Sequence, residues 1–464
     1  METLARAMKT IQCLARYFPD KCGGIQVNLS ELIPELRSHQ VEVKIAAAKS
    51  NSTVENCYQH NGVEVYRYPV SPVPRPQPNH GQFPHPGFAY FARWLSAQKA
   101  DIYHQHHWEV ICGLPHLRLA KKLGMATVVT VHSAIPICQR TTLMFEGQQP
   151  CDGKIDVVRC SYCCDRLTQK LPALAVKMLS RIPMSVVSRL QLPASVYLPC
   201  SQAQKNPGAY FRPLFVPGYV RARQSSLLSM AKFADRIIAV CDWLYQALLI
   251  NGIPKEKIIL CRAGILTCSP RKQLQLKSQQ EPLKVVFLGR LEAFKGLHVL
   301  IEAVKNLPPT TKVELVIHGI FQHEAYRKQI IELIGKDSRI RLAKELTREE
   351  LPTVLTNYDL LAVPSQGLET GPLVVLEAHA RSLPVIGSNV GGIAELVKHG
   401  IDGWLVPAND IQAWSEALQL LARDRHLLQQ LSQGVKDVRT VNVQAKELAE
   451  IYTEVIKDTK IPCP

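Results

Sequence analysis

The second half of the chain alternates short apolar segments with longer segments of helical character, and this alternation limits the fold more than any other feature. The first apolar segment is Val285–Leu288, and further strands are predicted at 313–317, 339–342, 360–363, 384–387 and 403–406. Helices are predicted near 296–307, 323–335 and 347–357, from 372, from 391, and over 411–422 with Asp410 as N-cap. Apolar strands that alternate with helices indicate a parallel sheet covered on both faces, and such sheets bind ligands at the carboxyl ends of their strands.

The first half repeats this pattern and predicts a second sheet. Its strands are predicted at 9–14, 41–47, 63–68, 101–103, 126–131 and 234–240, and its helices at 24–37, 88–98 and 109–122. Residues 134–230 lose the alternation and are interpreted as an insertion, whereas the polar stretch 269–281 is typical of a linker. We therefore predict an α/β fold of two Rossmann-like, doubly wound parallel-sheet domains that face a cleft, at 1–268 and 282–442. Residues 443–464 are predicted as a helix that returns to the N-terminal domain.

The formal charge of +16 restricts the partners. A basic surface suits nucleoside diphosphates, anionic lipid headgroups or nucleic acid. No block of five or more Lys or Arg residues occurs, and no nucleic-acid-binding motif is present, so nucleic acid is not expected as a partner. The sequence has no apolar run of about 18 residues and no secretory signal. A cytoplasmic location is expected, and peripheral contact with the inner face of a membrane is left open.

Glu369 and Glu377 lie eight residues apart in a segment that opens a helix. Pro372 suits the first helical position, and Gly371 before it allows close approach of the backbone. A helix N-terminus attracts phosphate, whereas carboxylates repel it and bind hydroxyl groups. This combination suits a ligand with a diphosphate in the middle and sugars at both ends, such as a nucleotide-sugar.

Three motifs occur in a fixed order over residues 284–407. They are Phe-Leu-Gly-Arg-Leu-Glu-Ala-Phe-Lys-Gly at 287–296, Glu-x7-Glu at 369–377, and Gly-Gly-Ile-Ala-Glu-Leu at 391–396. Together with a Gly-Gly loop at 23–24 and a histidine at a strand end, they resemble the retaining glycosyltransferases of the GT-B fold (family 4, group 1 type). The resemblance runs from about residue 9 to 455. It implies transfer of a hexose from a nucleoside-diphosphate sugar to a hydroxyl of a glycan or lipid-linked acceptor, with retention, in polysaccharide or glycolipid synthesis.

The resemblance also implies roles for individual residues. Arg290 and Lys295 bind the donor diphosphate, Glu377 binds the ribose hydroxyls, and Glu369 faces the transferred sugar. Thr370 stands where many relatives have glycine. The implied donor-binding set is Gly23, Gly24, Arg290, Lys295, Glu369, Thr370, Gly371, Pro372, Leu373 and Glu377.

In the first half, the resemblance implies that His132 contacts the transferred sugar near the reacting carbon. His132, Glu369, Arg290 and Lys295 form the implied catalytic set. Ser133 departs from the Asp or Gly that often follows this histidine. A second strand-end cluster is predicted to contact the acceptor, and it consists of His106, His107 and Trp108, with His104 beside them.

No Asp-x-Asp motif is present, which fits an enzyme without a catalytic divalent metal and without a required cofactor. The family expectation is a front-face mechanism, in which the leaving phosphate helps to deprotonate the acceptor. The insertion carries a cysteine cluster, and its members are Cys138, Cys151, Cys160 and Cys163, with Cys164 adjacent. A structural zinc site, a local disulfide pair and free thiols all remain open for this cluster.

Two alternatives to a transferase remain. A nucleotide-sugar epimerase shares the two-domain shape but needs no acceptor pocket, so the long insertion argues against it. A phosphorylase would need a lysine site for pyridoxal phosphate, for which the sequence gives no context. A catalytically inactive protein that binds sugar nucleotides is a different class, and the intact glutamates and cations argue against it.

Overall fold

The computed structural model describes residues 6–20, 23–73, 80–183, 210–266 and 280–460. The chain divides into two compact units: unit 1 comprises Met1–Arg262 and Val441–Pro464, and unit 2 comprises Ala263–Thr440. Unit 1 is interrupted after residue 262, six residues before the predicted end of the first domain at 268. Unit 2 ends at residue 440, two residues before the predicted end of the second domain at 442. The predicted linker at 269–281 lies outside the described residues, except for positions 280 and 281.

Unit 1 contains an eight-stranded sheet with the strand order β10-β9-β6-β5-β1-β2-β4-β3. Its strands are β1 (Met8–Leu14), β2 (Val41–Ser50), β3 (Asn56–His60), β4 (Val63–Val70), β5 (Ile102–Gln105), β6 (Ala126–Val131), β9 (Arg236–Ala239) and β10 (Ile258–Leu260). A separate hairpin joins β7 (Met144–Phe145) and β8 (Gln149–Pro150). All pairings in the large sheet are parallel except that of β3 with β4.

Strand β3 is absent from the prediction, although the sequence contains its signal. Asn61 and Gly62 connect β3 to β4, and both have positive φ angles, 49° and 71°. An Asn-Gly pair with two positive φ angles is typical of a two-residue hairpin turn. The antiparallel strand at this edge was therefore predictable from the Asn-Gly pair.

Within the described residues, seven helices of unit 1 precede the linker. They are α1 (Gly24–Ser38), α2 (Phe88–Ser96), α3 (Leu114–Lys122), α4 (Val157–Cys164), α5 (Ala173–Leu179), α6 (Arg212–Phe233) and α7 (Asp242–Ile250). The predicted insertion contributes the hairpin, α4, α5 and most of α6. Residues 184–209 of the insertion lie outside the described part of the chain.

Unit 2 contains a six-stranded, wholly parallel sheet with the order β13-β12-β11-β14-β15-β16. The strands are β11 (Leu283–Leu288), β12 (Val313–His318), β13 (Ile340–Ala343), β14 (Leu360–Val363), β15 (Val385–Ser388) and β16 (Gly403–Val406). The helices are α8 (Leu297–Lys305), α9 (Glu324–Ile334), α10 (Leu351–Leu355), α11 (Leu373–His379), α12 (Gly391–Leu396), α13 (Ile411–Arg423) and α14 (Arg425–Gly434). The predicted α/β fold with two doubly wound parallel-sheet domains is confirmed.

Both faces of the unit 2 sheet are covered, as the apolar strands predict. Val285 and Phe287 belong to a core cluster with Trp414, whereas Val286 belongs to a second cluster with Val375. Successive residues of a strand point to opposite faces, so β11 must be apolar throughout to fill both clusters. At the end of this unit, the carboxylate of Asp410 accepts a hydrogen bond from the Ala413 amide (2.9 Å), which confirms the predicted cap.

Three predicted helix starts are wrong. Pro372 has an extended backbone (φ −66°, ψ 126°) and is the N-cap of α11, so the helix begins at Leu373 and has seven residues. The helix predicted from residue 347 begins only at Leu351, and the helix predicted from residue 109 begins only at Leu114. In each case a proline stands in the first turn or just before it.

The last helix, α15 (Val441–Lys460), packs against α1 in unit 1. Its buried side chains recur along one face, and they include Ala445, Leu448, Tyr452 and Val455. This spacing is that of an amphipathic helix laid on a core. None of the helices within the described residues is long and apolar enough to cross a membrane.

Candidate active site

The topology of unit 2 places two neighbouring strand ends next to each other. The chain leaves β11 for β12 and β13 on one side of the sheet, then returns to β14 on the other side. The loops after β11 and β14 therefore diverge at the carboxyl edge, and this is where doubly wound sheets bind ligands. The first loop carries Arg290 and Lys295, and the second carries Glu369.

Close backbone contacts join these two loops. The amide of Gln366 donates to the carbonyl of Phe294 (2.8 Å). Gly296 has a φ of 70°, and a Cβ on it would lie 1.8 Å from the carbonyl oxygen of Pro364. Only glycine combines this conformation with this approach. The loop of Lys295 is therefore held against the loop of Glu369.

Lys295 and Glu369 form an ion pair across these loops. The Lys295 ammonium lies 2.7 Å from both carboxylate oxygens of Glu369. The two side chains are 19% and 11% exposed, respectively, so the pair is mostly shielded from water. The hydroxyl of Ser365 also donates to the Glu369 carboxylate. Charge-assisted bonds from two directions hold this carboxylate in one orientation.

A third loop, after β15, supports the backbone of Glu369. The amide of Gly392 donates to the carbonyl of Glu369 (2.6 Å). A Cβ on Gly392 would lie 2.3 Å from the amide nitrogen of Gly371, and one on Gly391 would lie 2.7 Å from the Cα of Leu368. The Gly-Gly motif thus serves the close packing of two loops. It fixes the segment that holds Glu369.

The remaining predicted donor residues of unit 2 have different surroundings. The Arg290 side chain is 60% exposed and pairs with Glu292 (3.0 Å). Glu377 is buried in α11 and pairs with Arg348. Arg348 was not predicted, because a cation in the loop before α10 carries no sequence signal that connects it to a glutamate 29 residues later. Thr370, Pro372 and Leu373 lie partly exposed beside this segment.

In unit 1, side chains of three adjacent strands and of the residues that follow them form a buried polar network. Strands β6, β5 and β1 are neighbours in the sheet. His106 Nδ1 lies 3.0 Å from His132 Nε2, and His106 Nε2 lies 2.7 Å from Gln12 Oε1. The Gln12 amide donates in turn to the hydroxyl of Tyr452 (3.1 Å), which also lies 2.7 Å from His104 Nδ1. The network links three strand ends to the C-terminal helix.

These contacts assign the proton positions of the two facing rings. A carboxamide oxygen accepts only, so His106 Nε2 must carry a proton toward Gln12. In a neutral ring, His106 Nδ1 is then the acceptor, and His132 Nε2 donates to it. The lone pair of His132 consequently lies on Nδ1. His132 keeps part of its surface exposed at the end of β6.

Burial keeps these imidazoles uncharged. It lowers the pKa of His104 to about 3, and it lowers the pKa of His106 well below its usual range, where the neighbouring His104 and His132 add to the effect. Burial likewise lowers the pKa of His132, with a contribution from His107. Desolvation disfavours the charged form of a histidine. At neutral pH the network therefore consists of neutral hydrogen-bonding groups.

The predicted acceptor cluster is only partly available at the surface. Trp108 is 6% exposed, and its indole nitrogen donates to Ser226 (2.8 Å), so the ring is a core residue and the predicted acceptor contact is wrong for it. His106 is equally buried in the network. His107 is partly exposed, and its Nδ1 accepts from the Ala15 amide (3.3 Å). An aromatic residue after a strand is as often a core residue as a ligand contact, which explains the error.

Gly23 and Gly24 lie at the start of α1, with Gly23 as its exposed N-cap. The Gly23 amide donates to the side chain of Gln26 (3.0 Å). A Cβ on Gly23 would meet only Gln26 Oε1, at 3.8 Å, and its backbone is extended. No contact among the described residues requires glycine at position 23.

The five cysteines of the insertion line one cavity of about 30 Å³, together with Arg140 and Arg159. All five are free thiols. Burial raises the pKa of Cys160 to about 11, whereas a hydrogen bond from Cys164 and the Glu146 amide, 3.2 Å from its sulfur, lower the pKa of Cys163 to about 6. Among the described residues, no group of three or more His, Cys, Asp or Glu side chains is arranged to hold a metal ion. These cysteines form no disulfide in the structure, and the zinc site of Cys138, Cys151, Cys160 and Cys163 stays a prediction.

The sequence of this chain matches two known protein families, and these matches identify its class. The family described as "Glycosyl transferases group 1" matches residues 270–438, and the "Glycosyl transferase 4-like domain" matches residues 23–159. The two sheets have the architecture of GT-B glycosyltransferases. The chain belongs to the group 1 glycosyltransferase family, as its motifs predict.

Curated relatives match part of the chain. The amylovoran biosynthesis glycosyltransferase AmsK of Erwinia amylovora is 34% identical over 220 residues, 46% of this chain and 50% of that protein. A D-inositol 3-phosphate glycosyltransferase of Corynebacterium efficiens is 33% identical over 212 residues, 43% of this chain and 50% of that protein. The chain spans about half the length of the curated relatives it matches.

Solved structures match almost the whole chain at low identity. The Anabaena protein HepE in complex with UDP and glucose gives a TM-score of 0.61 at 16% identity, over 96% of this chain and 99% of that one. Sucrose-phosphate synthase of Thermosynechococcus elongatus gives 0.64 at 18% identity, over 97% and 100%. At such identities the similarity establishes the fold alone.

Proposed function

We propose that the protein is a retaining glycosyltransferase that moves a hexose from a nucleoside-diphosphate sugar to a hydroxyl of a glycan or lipid-linked acceptor. The observation that carries the proposal is the Lys295–Glu369 pair at the joined ends of β11 and β14, with the exposed Arg290 in the same loop. A cation and a carboxylate held side by side suit a ligand in which a phosphate adjoins a hydroxyl-rich sugar.

The proposed donor pose assigns each charge a partner. A diphosphate would draw the Lys295 ammonium and the Arg290 guanidinium toward its oxygens, because both cations pair with carboxylates in the absence of ligand. The Glu369 carboxylate would then accept hydrogen bonds from hydroxyls of the transferred sugar. The carboxylate of Glu377, whose Oε1 pairs with Arg348, would accept from the ribose hydroxyls.

The chemical step follows from this pose. The acceptor oxygen forms a bond to the anomeric carbon on the face that the phosphate leaves, and the bond from that carbon to the phosphate oxygen breaks. The electron pair goes to the phosphate, and the acceptor proton moves to a phosphate oxygen. Lys295 and Arg290 offset the charge that develops on the leaving diphosphate, which is the part of catalysis that fixed cations perform best. No step requires a divalent metal ion or a cofactor.

His132 is assigned a positioning role toward the sugar. As a neutral ring, His132 would contact the sugar through hydrogen bonding and not through charge. The burial that lowers the pKa of His132 also disfavours its charged form. Gly23 leaves open space beside the first turn of α1, where backbone amides can approach a phosphate.

Related proteins support the substrate class. Relatives are named for the biosynthesis of amylovoran and, putatively, of colanic acid, and the HepE structures contain UDP and UDP-glucose. These names support our proposal of polysaccharide or glycolipid synthesis with a nucleotide-sugar donor. The cytoplasmic location expected from the sequence remains a prediction.

The proposal is tested with the purified protein and a panel of UDP-, GDP- and ADP-sugars, with and without EDTA. Nucleotide release is followed together with calorimetric donor binding, since hydrolysis without acceptor is slow. Glu369→Gln preserves the shape of the side chain and removes its charge, and Glu332→Gln is the matched control, because Glu332 is exposed on α9. We expect one donor to bind and turn over in EDTA, and turnover to fail only in Glu369→Gln.

The stereochemistry of the product tests retention separately. Proton NMR of the glycoside formed from an α-linked donor is expected to show an α-anomer. Binding without turnover on any acceptor would support the inactive sugar-nucleotide-binding protein. A change of the donor sugar without acceptor would support the epimerase.

A further inference from the structure

One segment of unit 1 accounts for most of the net positive charge of the protein. Between Asp165 and Asp235 the sequence contains no Asp or Glu. It contains ten cations, which supply ten of the sixteen surplus positive charges, and they are Arg166, Lys170, Lys177, Arg181, Arg189, Lys205, Arg212, Arg221, Arg223 and Lys232. A segment of this length without a carboxylate needs a reason beyond folding, because mixed charges are the norm for protein surfaces.

The described parts of this segment expose large apolar side chains. On α5, Leu174 and Met178 are 64% and 58% exposed, and they lie one turn apart on the same face. The opposite face of α5 packs against α6 through the buried Val176. Further apolar side chains are exposed after α5 and at the start of α6, namely Ile182, Tyr210, Phe211 and Leu214.

Cations lie close in sequence to these apolar side chains, on α5 and on the turn Thr168–Lys170, both of which contact α6, and beside them. Arg166, Lys170, Lys177 and Arg181 are all exposed. Within the described ranges, no carboxylate forms an ion pair with any of the four. Arg212, in contrast, is buried and pairs with Asp165 (3.2 Å), which anchors the start of α6 next to α4. The unit thus presents a basic–apolar surface, defined by Leu174, Met178, Ile182, Tyr210, Phe211, Leu214, Arg166, Lys170, Lys177 and Arg181.

We propose that this basic–apolar surface docks onto an anionic lipid bilayer. Exposed apolar side chains gain by entering the boundary between headgroups and acyl chains, and the cations that border them are attracted to acidic headgroups. Cations alone would suit a nucleic acid equally well, but the exposed leucine, methionine and aromatic side chains favour lipid. The docking goes beyond the proposed reaction and does not depend on it, because a chain without transferase activity would bind in the same way.

The test is flotation of the full chain with vesicles of neutral phosphatidylcholine and with vesicles that also contain phosphatidylglycerol. We expect binding to the anionic vesicles and a strong decrease with added salt. Lys177→Glu/Arg181→Glu should weaken binding at least about tenfold, because each cation near the surface contributes to the attraction. Leu174→Ser/Met178→Ser should also weaken binding, through loss of the inserted apolar groups.

Matched controls on unit 2 separate the surface from general charge and hydrophobicity. Lys328→Glu/Lys336→Glu makes the same change of charge at exposed positions, and Ile331→Ser removes an exposed apolar side chain. Both controls should bind as the wild type does. Thermal unfolding verifies that each variant is folded.

Four outcomes would overturn the inference. Absence of binding to anionic vesicles would do so directly, and so would equal losses in the surface variants and the controls. If Leu174→Ser/Met178→Ser abolishes self-association in sedimentation instead, the surface is an interface between two copies. If that variant lowers only the melting temperature, the apolar side chains are covered by the chain itself.

Discussion

Lys295 and Glu369 lie 74 residues apart in the chain, yet the ammonium of one contacts both carboxylate oxygens of the other at 2.7 Å. The contact joins the loops after β11 and β14, which are neighbours in the sheet although β12 and β13 separate them in sequence. In the absence of ligand, each charge therefore neutralises the other. A donor diphosphate would have to compete with Glu369 for Lys295, and this competition can be measured.

Lys295→Met keeps the length of the stem and removes the charge. We expect turnover to fall about 100-fold, the usual effect of deleting one fixed charge or donor that stabilises developing charge. Donor affinity should fall as well. Nucleotide release and calorimetry measure the two effects, with Lys336→Met as the control at an exposed position of the same unit. Undiminished turnover in Lys295→Met would remove this residue from the proposed mechanism.

Gly392→Ala tests the packing of the loops that hold Glu369. The new Cβ would lie 2.3 Å from the Gly371 amide nitrogen and 2.7 Å from the Glu369 carbonyl oxygen. Because backbone atoms must move, we expect a loss of about 3 kcal/mol in the free energy of unfolding. Denaturant unfolding measures the loss, and weaker donor binding should accompany it.

Gly23→Ala is the matched control for stability, because its Cβ would meet only Gln26 Oε1, at 3.8 Å. Its cost should stay below about 1 kcal/mol, the range for changes at an N-cap. If the open space at Gly23 admits the donor phosphate, this variant loses activity while it stays folded. Similar stability losses at positions 23 and 392 would contradict the steric account.

Tyr452→Phe removes one hydroxyl from the buried network of unit 1. That hydroxyl lies 2.7 Å from His104 Nδ1 and 3.1 Å from the Gln12 amide nitrogen; its loss removes the bond at the buried His104 Nδ1, whereas the Gln12 amide keeps its bond to Thr10. We expect a loss of about 1–2 kcal/mol in unfolding free energy. Tyr210→Phe, at a ring that is 81% exposed, should change it by less than about 0.5 kcal/mol. Equal effects would show that the network does not stabilise the unit.

The buried histidines predict a dependence of stability on pH. In the folded chain the pKa of His104 is lowered to about 3, and burial also lowers the pKa of His106 and His116. In the unfolded chain these rings bind protons near pH 6.5. The unfolded state therefore holds more protons between these values, so stability is complete above about pH 6.5 and is lost as the pH falls.

From pH 7 to pH 5.5 each such histidine should cost about 1 kcal/mol. Urea unfolding at the two pH values measures the total. His104→Gln should reduce the difference by the share of one histidine. A stability that rises on acidification would have the wrong sign for this explanation.

The cysteine cavity leads to a prediction about metal content. Because the thiols of the insertion are free and not arranged around an ion, the reduced protein should contain well below one zinc per chain. EDTA should leave its melting temperature unchanged. Elemental analysis and thermal unfolding check both points. One tightly bound zinc, whose removal lowers the melting temperature, would show that these cysteines rearrange around a metal.

Most of the fold was predictable because its signals are local. Strands 126–131, 360–363 and 403–406 have the predicted boundaries, since a histidine or a proline follows each apolar run. The errors occur where local signals have two meanings. Pro372 suits the N-cap as well as the first helical turn, and Trp108 suits a core as well as a ligand contact.

The sequence by itself determined the alternation of strands and helices, the glycines at the strand ends and the identity of the charged residues beside them. Only the tertiary structure decided which of these residues meet. Arg348 pairs with Glu377, and Tyr452 of the last helix contacts Gln12 of the first strand. Such pairs depend on strand order and on the packing of distant helices, and these are set by the burial of the whole apolar surface at once, which no local pattern specifies.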